Sequence, residues 1–233
     1  MGVVTARGKE AKEAMKKKKQ NIDFKKVFVR LKDGDSVRVR ILSAYDYVRY
    51  MSHGSYVHGI WTQPCLKPAG KNCAICEAND AKVEEFDGLY AKERYLFAFA
   101  DIDEGMIRVF DATKGQAEQL VDTIEQYAED LQDVAFTFKR TGNKTDTTYT
   151  LNPILRLKAD DKEKFEKFNE EVVEDEFFET VLQPRTYEQQ IEELKKAGFP
   201  VEEYFDVQVS DDSEDNSDDV EPISEEENPD KVF

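Results

Sequence analysis

The 233-residue chain is short of the residues most used for reactive chemistry, with three cysteines, two histidines and one tryptophan. An odd number of cysteines cannot all pair, and no apolar run is long enough to span a bilayer or to form the core of a secretory signal. These absences argue against a disulfide-stapled secreted domain and against a membrane protein, and lead us to expect a soluble protein of the reducing cytoplasm. There is no P-loop, no dinucleotide-type glycine fingerprint and no Gly-x-Ser-x-Gly elbow. Acidic pairs such as Asp101 with Asp103, or Asp160 with Asp161, are expected by chance among 50 acidic residues, so no enzyme is expected. The apolar fraction of 39% is low for a wholly packed chain, which leaves part of it outside any core.

The few cysteines present are concentrated in one stretch, Ser55 to Asp80, which reads SYVHGIWTQPCLKPAGKNCAICEAND. Cys65, Cys73 and Cys76 with one histidine make a tetrahedral zinc set, since zinc favours thiolate and imidazole. The Cys-x-x-Cys pair places two sulfurs on one side of an ion, while Pro64, Pro68 and Gly70 bend the chain back to it. A redox pair would sit at the start of a helix inside a βαβ unit, and that context is missing; unrelated thiols are the plainer alternative. His58 is preferred to His53 as the fourth ligand, being nearer the cysteines and followed by Gly59. Four protein ligands leave no open position for water, so one structural zinc is expected.

The formal charge of -17 is unevenly spread. Through Lys158 there are 26 Lys and Arg against 23 Asp and Glu, and from Ala159 onward 7 against 27. A near-neutral to basic body with an acidic back end hints at nucleic-acid binding coupled to an acidic tail. Residues 1–20 form a basic arm containing Lys16 to Lys19, too polar to fold alone, suited to phosphate or to a neighbouring copy of the chain.

From residue 21 to 158 the pattern is strand-like, predicting a mainly β body, a β-barrel with appended helices. Val27, Val29 and Leu31 alternate with polar residues, Asp33-Gly34 marks a turn, and Val37, Val39 and Ile41 alternate with Arg38 and Arg40. Tyr45, Tyr47, Tyr50, Tyr56 and Trp61 follow, with Arg49 among them. In Arg94 to Ile102, Tyr95, Phe97 and Phe99 share one face, and Met106 to Phe110 returns through an Asp-Glu-Gly turn. Lys114 to Leu131 has a helical apolar stripe. Ala135 to Leu157 is a last hairpin in which Phe136 and Phe138 alternate with Thr137 and Lys139, with a basic, glycine-containing tip from Arg140 to Lys144 answered by Tyr149. Arginines and rings on strands suit phosphates and unstacked bases. The candidate DNA contacts are therefore Arg38, Arg40, Arg49, Arg94, Lys139 and Arg140 for phosphates, and Tyr45, Tyr47, Tyr50, Trp61, Tyr95 and Tyr149 for bases. For any single tyrosine, a place in the core is the stronger alternative. Residues 159–205 predict two acidic amphipathic helices separated by Pro184, and residues 206–233 a disordered acidic tail.

The order of parts, with His58…Cys65…Cys73-x-x-Cys76 and the Arg140-Thr141-Gly142 hairpin leading to Tyr149, resembles the single-stranded-DNA-binding proteins of tailed phages, the T-even helix-destabilising family. That resemblance implies an OB-fold core carrying an inserted zinc loop, 55–80, with one His and three Cys on the metal. It also implies self-association through Lys16 to Lys19 and an acidic tail that recruits replication or recombination proteins. The function expected is coating of single-stranded DNA with little sequence preference during replication, recombination and repair. The rival is an acidic zinc-ribbon transcription regulator or nucleic-acid mimic acting on a protein target.

Overall fold

The computed structural model describes residues 22–205. The basic arm and the acidic tail expected from the sequence lie outside the described residues. Seven strands make one curled antiparallel sheet. They are β1 (Ser36–Arg40), β2 (Tyr47–Ser55), β3 (Ile60–Pro64), β4 (Lys92–Asp101), β5 (Met106–Thr113), β6 (Ala135–Thr141) and β7 (Thr148–Ile154). The hydrogen-bonded order is β3-β2-β4-β1-β6-β7, with β5 on the other edge of β4.

Long β4 organises the curl. Its first half pairs with β2 (Tyr47 opposite Phe97, Arg49 opposite Tyr95), while its end pairs with β1 (Val39 opposite Asp101). One edge thus serves two strands, and the sheet bends into a half-barrel. Alternation in β1 points Val39 and, just beyond the strand, Ile41 inward, where they meet Phe97, Phe99, Phe110, Phe136, Phe138 and Tyr149. Helix α3 (Lys114–Gln126) fills the open side of this core with Ala117, Leu120 and Ile124. It starts at a capping box in which Gln116 accepts from the Thr113 backbone N–H.

β4 is apolar on both faces because both are covered. Leu96 and Ala98, on the outer face, pack under Phe177, Phe178 and Val181 of α5 (Asp175–Leu182), with Val27 from the single-turn α1 (Phe24–Val27) and Val109. Helix α4 (Ala159–Glu166) lies over the outer face of β1, whereas α6 (Tyr187–Lys196) and the short α7 (Val201–Tyr204) pack on α2 (Ala74–Asp80) and the cysteine loop. The acidic helical segment is therefore divided between two places. Among the described residues no helix is long and apolar enough to cross a membrane.

One half-buried acid gives a pH signature. Asp46 sits just before β2, and burial pushes its carboxyl from the ordinary 3.8 to about 6. Its Oδ2 is buried without a hydrogen-bond partner. A raised folded pKa means that the folded chain binds this proton more tightly than the unfolded chain does. The contribution is fully present below about 4 and is lost as pH rises through about 6. Asp46→Asn is expected to raise Tm at pH 8 and to leave it nearly unchanged at pH 4; equal shifts at both pH values would refute the assignment.

Candidate metal centre and nucleic-acid face

The metal centre is built where the end of β2 meets the cysteine loop. A β-bulge between His53 and Ser55 interrupts the β2–β3 pairing. At Gly54 the strands run so close that a Cβ would lie 3.2 Å from Thr62. The bulge turns His53 under the loop. Cys65 is tied to β2 by its N–H to Met51 O, 2.8 Å, and the chain then makes a short turn at Lys67–Ala69 that ends on left-handed Gly70. Cys73 is the N-cap of α2 and Cys76 lies in its first turn, so the Cys-x-x-Cys spacing aims both sulfurs off one helix end.

The four side chains meet. His53 Nε2 is 3.5 Å from Cys73 Sγ and 3.3 Å from Cys76 Sγ, and Cys65 Sγ is 3.9 Å and 3.5 Å from the same two sulfurs. All four donor atoms lie within 4.8 Å of one another, and all four residues are buried. Zinc–sulfur bonds of about 2.3 Å and zinc–nitrogen bonds of about 2.0 Å set tetrahedral edges of roughly 3.5–3.8 Å, which these distances bracket. His53 Nδ1 lies 2.8 Å from Leu89 O. A carbonyl only accepts, so Nδ1 carries the proton and Nε2 presents its lone pair to the cluster.

Electrostatics favours a cation here. Burial pushes the Cys65 and Cys76 thiols up. Burial also works against ionisation of Cys73, while backbone N–H donors favour it. Three neighbouring thiolates repel one another, and a divalent ion removes that cost. The group can therefore hold one metal ion, and its soft donors suit zinc.

His58, preferred from the sequence, is not in the cluster. Its ring stacks on Phe86 at 4.3 Å between centroids, and Gly59 (φ +67°) shapes the β2–β3 turn instead of bringing an imidazole to the metal. Proximity in sequence misled because β2 and β3 are a hairpin, so the residue nearest the cysteines along the chain sits at the hairpin's far tip. The signal that favours His53 is strand alternation, since Met51 and His53 share a face of β2.

The C-terminal helices complete the metal module. Gln190 accepts from the Ala74 N–H at 2.9 Å, Gln63 donates to Glu193, which also pairs with Arg185 at 2.9 Å, and Tyr187 donates to Glu77. Leu194, Phe199, Val201 and Phe205 fill the apolar space against Ile75, Phe86 and Leu89.

The twelve candidate DNA contacts separate by layer. Arg40 is 1% exposed, and the acidic segment covers it. Its guanidinium donates to Phe165 O, Asn169 Oδ1 and Gln132 Oε1 and lies over the Phe165 ring. Arg38, on the same face, is held by Asp103 and by Asp161 at 2.7 Å. Arg94 is buried on Asp111 at 2.9 Å, with Tyr50 packed on the same side of the sheet. Tyr149 is 5% exposed, 4.4 Å from the Phe110 ring. The arginines face outward on their strands and read as exposed until partners from elsewhere in the chain close over them, whereas Tyr149 faces the inner core.

Arg140 is half-buried, and its Nη1 donates to Leu31 O at 2.6 Å, which ties the last hairpin to the Lys32–Asp35 turn; Gly142 N–H donates to Asp33 on the same clasp. Lys139 is exposed on the outer face, Trp61 is half-buried on β3, and Tyr45 is 83% exposed ahead of β2. Arg38, Arg40, Lys139 and Arg140 therefore do not form one trough. The inner face does bring candidates together. Tyr47 opposite Phe97, Arg49 opposite Tyr95 and Met51 opposite Glu93 share that face, because paired residues of antiparallel strands point the same way. Tyr47 stacks on Phe97 at 5.0 Å, and both Tyr47 and Tyr95 are half-buried over the core. Exposed Arg49 reaches Glu93 at 3.0 Å, with Lys114 at 3.9 Å from the same carboxylate. Lys114 was not singled out from the sequence, where it reads as an ordinary helix start.

No family model matches the chain, and a search of curated proteins finds no match.

Proposed function

We propose that the chain is a non-catalytic single-stranded-DNA-binding protein whose half-barrel is of the OB type, stabilised by one structural zinc. The observation that carries the reading is the inner-face strip, where Arg49 and Tyr95 face one another beyond the closed part of the core with Tyr47 beside them. Rings half-open over a core give bases a platform, and a cation at the same level meets the phosphates. The strip runs toward the metal module, since Met51 and His53 continue the same face of β2. In this reading the cytoplasmic protein coats strands exposed in replication, recombination and repair. Its Lys-rich arm meets neighbouring copies and its acidic tail recruits partner proteins.

The test is a fluorescence titration with oligo-dT over a salt series. Affinity is expected to fall steeply with salt, with a log–log slope of about -0.7 per phosphate contact. Tyr95→Ala is expected to cost about 1–3 kcal/mol, and Arg49→Ala to make the slope shallower by nearly one contact. Salt-independent binding, or a preference for duplex, sinks the proposal. Truncation after Asp206 is expected to preserve or tighten binding by removing a competing polyanion. Activity that depends on that tail, with no strand binding, belongs instead to the rival acidic regulator or mimic.

A further inference from the structure

The metal cluster is not equally enclosed on all sides. Cys73 and His53 are 0% and 1% exposed, while Cys65 and Cys76 keep 9% and 8% of their surface open. Both open cysteines line a cavity of about 340 Å³ that opens between the sheet and the loop, with Met51, Lys67, Asp80 and Tyr90 around it. Such a volume falls in the range that takes small ligands. Lys67 and Asp80 form a loose ion pair at its rim, 3.5 Å apart, and both side chains are more than half exposed. A small molecule thus has access to two of the three sulfurs, past a lysine that favours anions.

We propose that this cavity is a thiol-modification site, where a low-molecular-weight disulfide oxidises Cys65 and Cys76 to an internal disulfide and discharges the metal. The inference rests on the metal reading of the cluster. One of the two cavity-lining thiolates attacks the entering disulfide, forming a mixed disulfide and expelling one thiolate of the reagent. The neighbouring sulfur, 3.5 Å away, then attacks the protein sulfur of that bond and expels the second thiolate. Two cysteine thiolates are oxidised by two electrons in all, and one disulfide is reduced to two thiols after protonation by solvent. Cys73 stays reduced, because it is enclosed by α2 and the loop. The donor set falls to His53 and Cys73, too few to hold the ion, and α2 loses the pin on which α6 is seated. A thiol reductant restores the set, so the change is reversible.

The experiment uses the full chain as purified. Its zinc content is measured first, and glutathione disulfide is then added while a colour-forming chelator reports zinc and alkylation with mass spectrometry reports each cysteine. Zinc is expected to leave in step with the loss of the Cys65 and Cys76 thiols, at a rate proportional to disulfide concentration, with Cys73 still alkylated. Lys67→Glu is expected to slow the anionic reagent on the order of tenfold while leaving neutral hydroxyethyl disulfide unaffected. Overturning results are attack on Cys73 first, a rate independent of disulfide concentration, or zinc retained with all three thiols intact. A chain that carries no zinc yet loses Cys65 and Cys76 first overturns the metal centre and leaves the order of thiol reaction standing.

Discussion

His53→Ala is expected to abolish stable zinc binding, and His58→Ala to leave one zinc per chain. Losing an outer-shell partner of a metal site already costs about 10–100-fold in affinity, and losing one of four ligands costs more. The stability at stake is large, because structural zinc contributes on the order of 10 kcal/mol in small zinc-folded peptides. An ion held here would join the end of β2, the loop through Cys65 and the start of α2. On that assembly α6 rests through Gln190 and Leu194. The His53 variant, or chelation of the parent chain, should therefore lower Tm and open residues 187–205 to protease before the barrel is cut. His58→Ala removes only a ring stacked on Phe86, worth about 0.5–1.5 kcal/mol. Metal analysis of the two purified variants decides the matter. Zinc kept by His53→Ala and lost by His58→Ala would restore the ligand that the sequence favours.

Arg40→Ala is expected to cost about 2–4 kcal/mol of folding stability, from a buried acceptor left unpaired and a void under the Phe165 ring. The guanidinium donates to Phe165 O at 3.0 Å, Asn169 Oδ1 at 2.7 Å and Gln132 Oε1 at 2.8 Å, and rests 4.2 Å from the centre of the Phe165 ring. These contacts fasten α4 and the turn after it to the outer face of β1. Removing the side chain leaves the buried Phe165 O without its donor and a void under the Phe165 ring, while exposed Asn169 and Gln132 turn to water. For a chain of this length, the loss corresponds to a fall in Tm of about 10 °C, measurable by thermal or urea unfolding. Arg40→Met should recover part of the loss by filling the space without supplying donors. If Arg40 serves the fold and not phosphate, the salt slope of oligo-dT binding at a temperature where the variant is folded stays at the parent value. A shallower slope with unchanged Tm would return Arg40 to the binding face.

The metal site shows how far local sequence reaches. Cys-x-x-Cys at the start of a helix, with a third cysteine behind a Pro- and Gly-bent loop, requires nothing from the rest of the chain to bring its sulfurs together, so three ligands were legible. The imidazole arrives through the register and bulge of the β2–β3 hairpin, which nearness along the chain does not reveal, and proximity pointed to the wrong histidine. The strands were legible for a similar reason: alternation at Val37, Val39 and Ile41, or at Tyr95, Phe97 and Phe99, is imposed by the pleat wherever one face is buried.

Composition and periodicity by themselves determined that the body is mainly β, that three cysteines converge, and that cations and carboxylates are unequally divided along the chain. Only tertiary structure decided which arginines and tyrosines remain within reach of a ligand. Arg38, Arg40 and Arg94 lost their exposure to Asp103 and Asp161, to α4, and to Asp111, while Arg49 kept most of its own. The physical reason is that alternation specifies two faces of a strand but not what covers them. For Arg40 that cover comes from a helix more than a hundred residues further along, whose own apolar stripe must be buried, and for Arg94 from a carboxylate on the neighbouring strand.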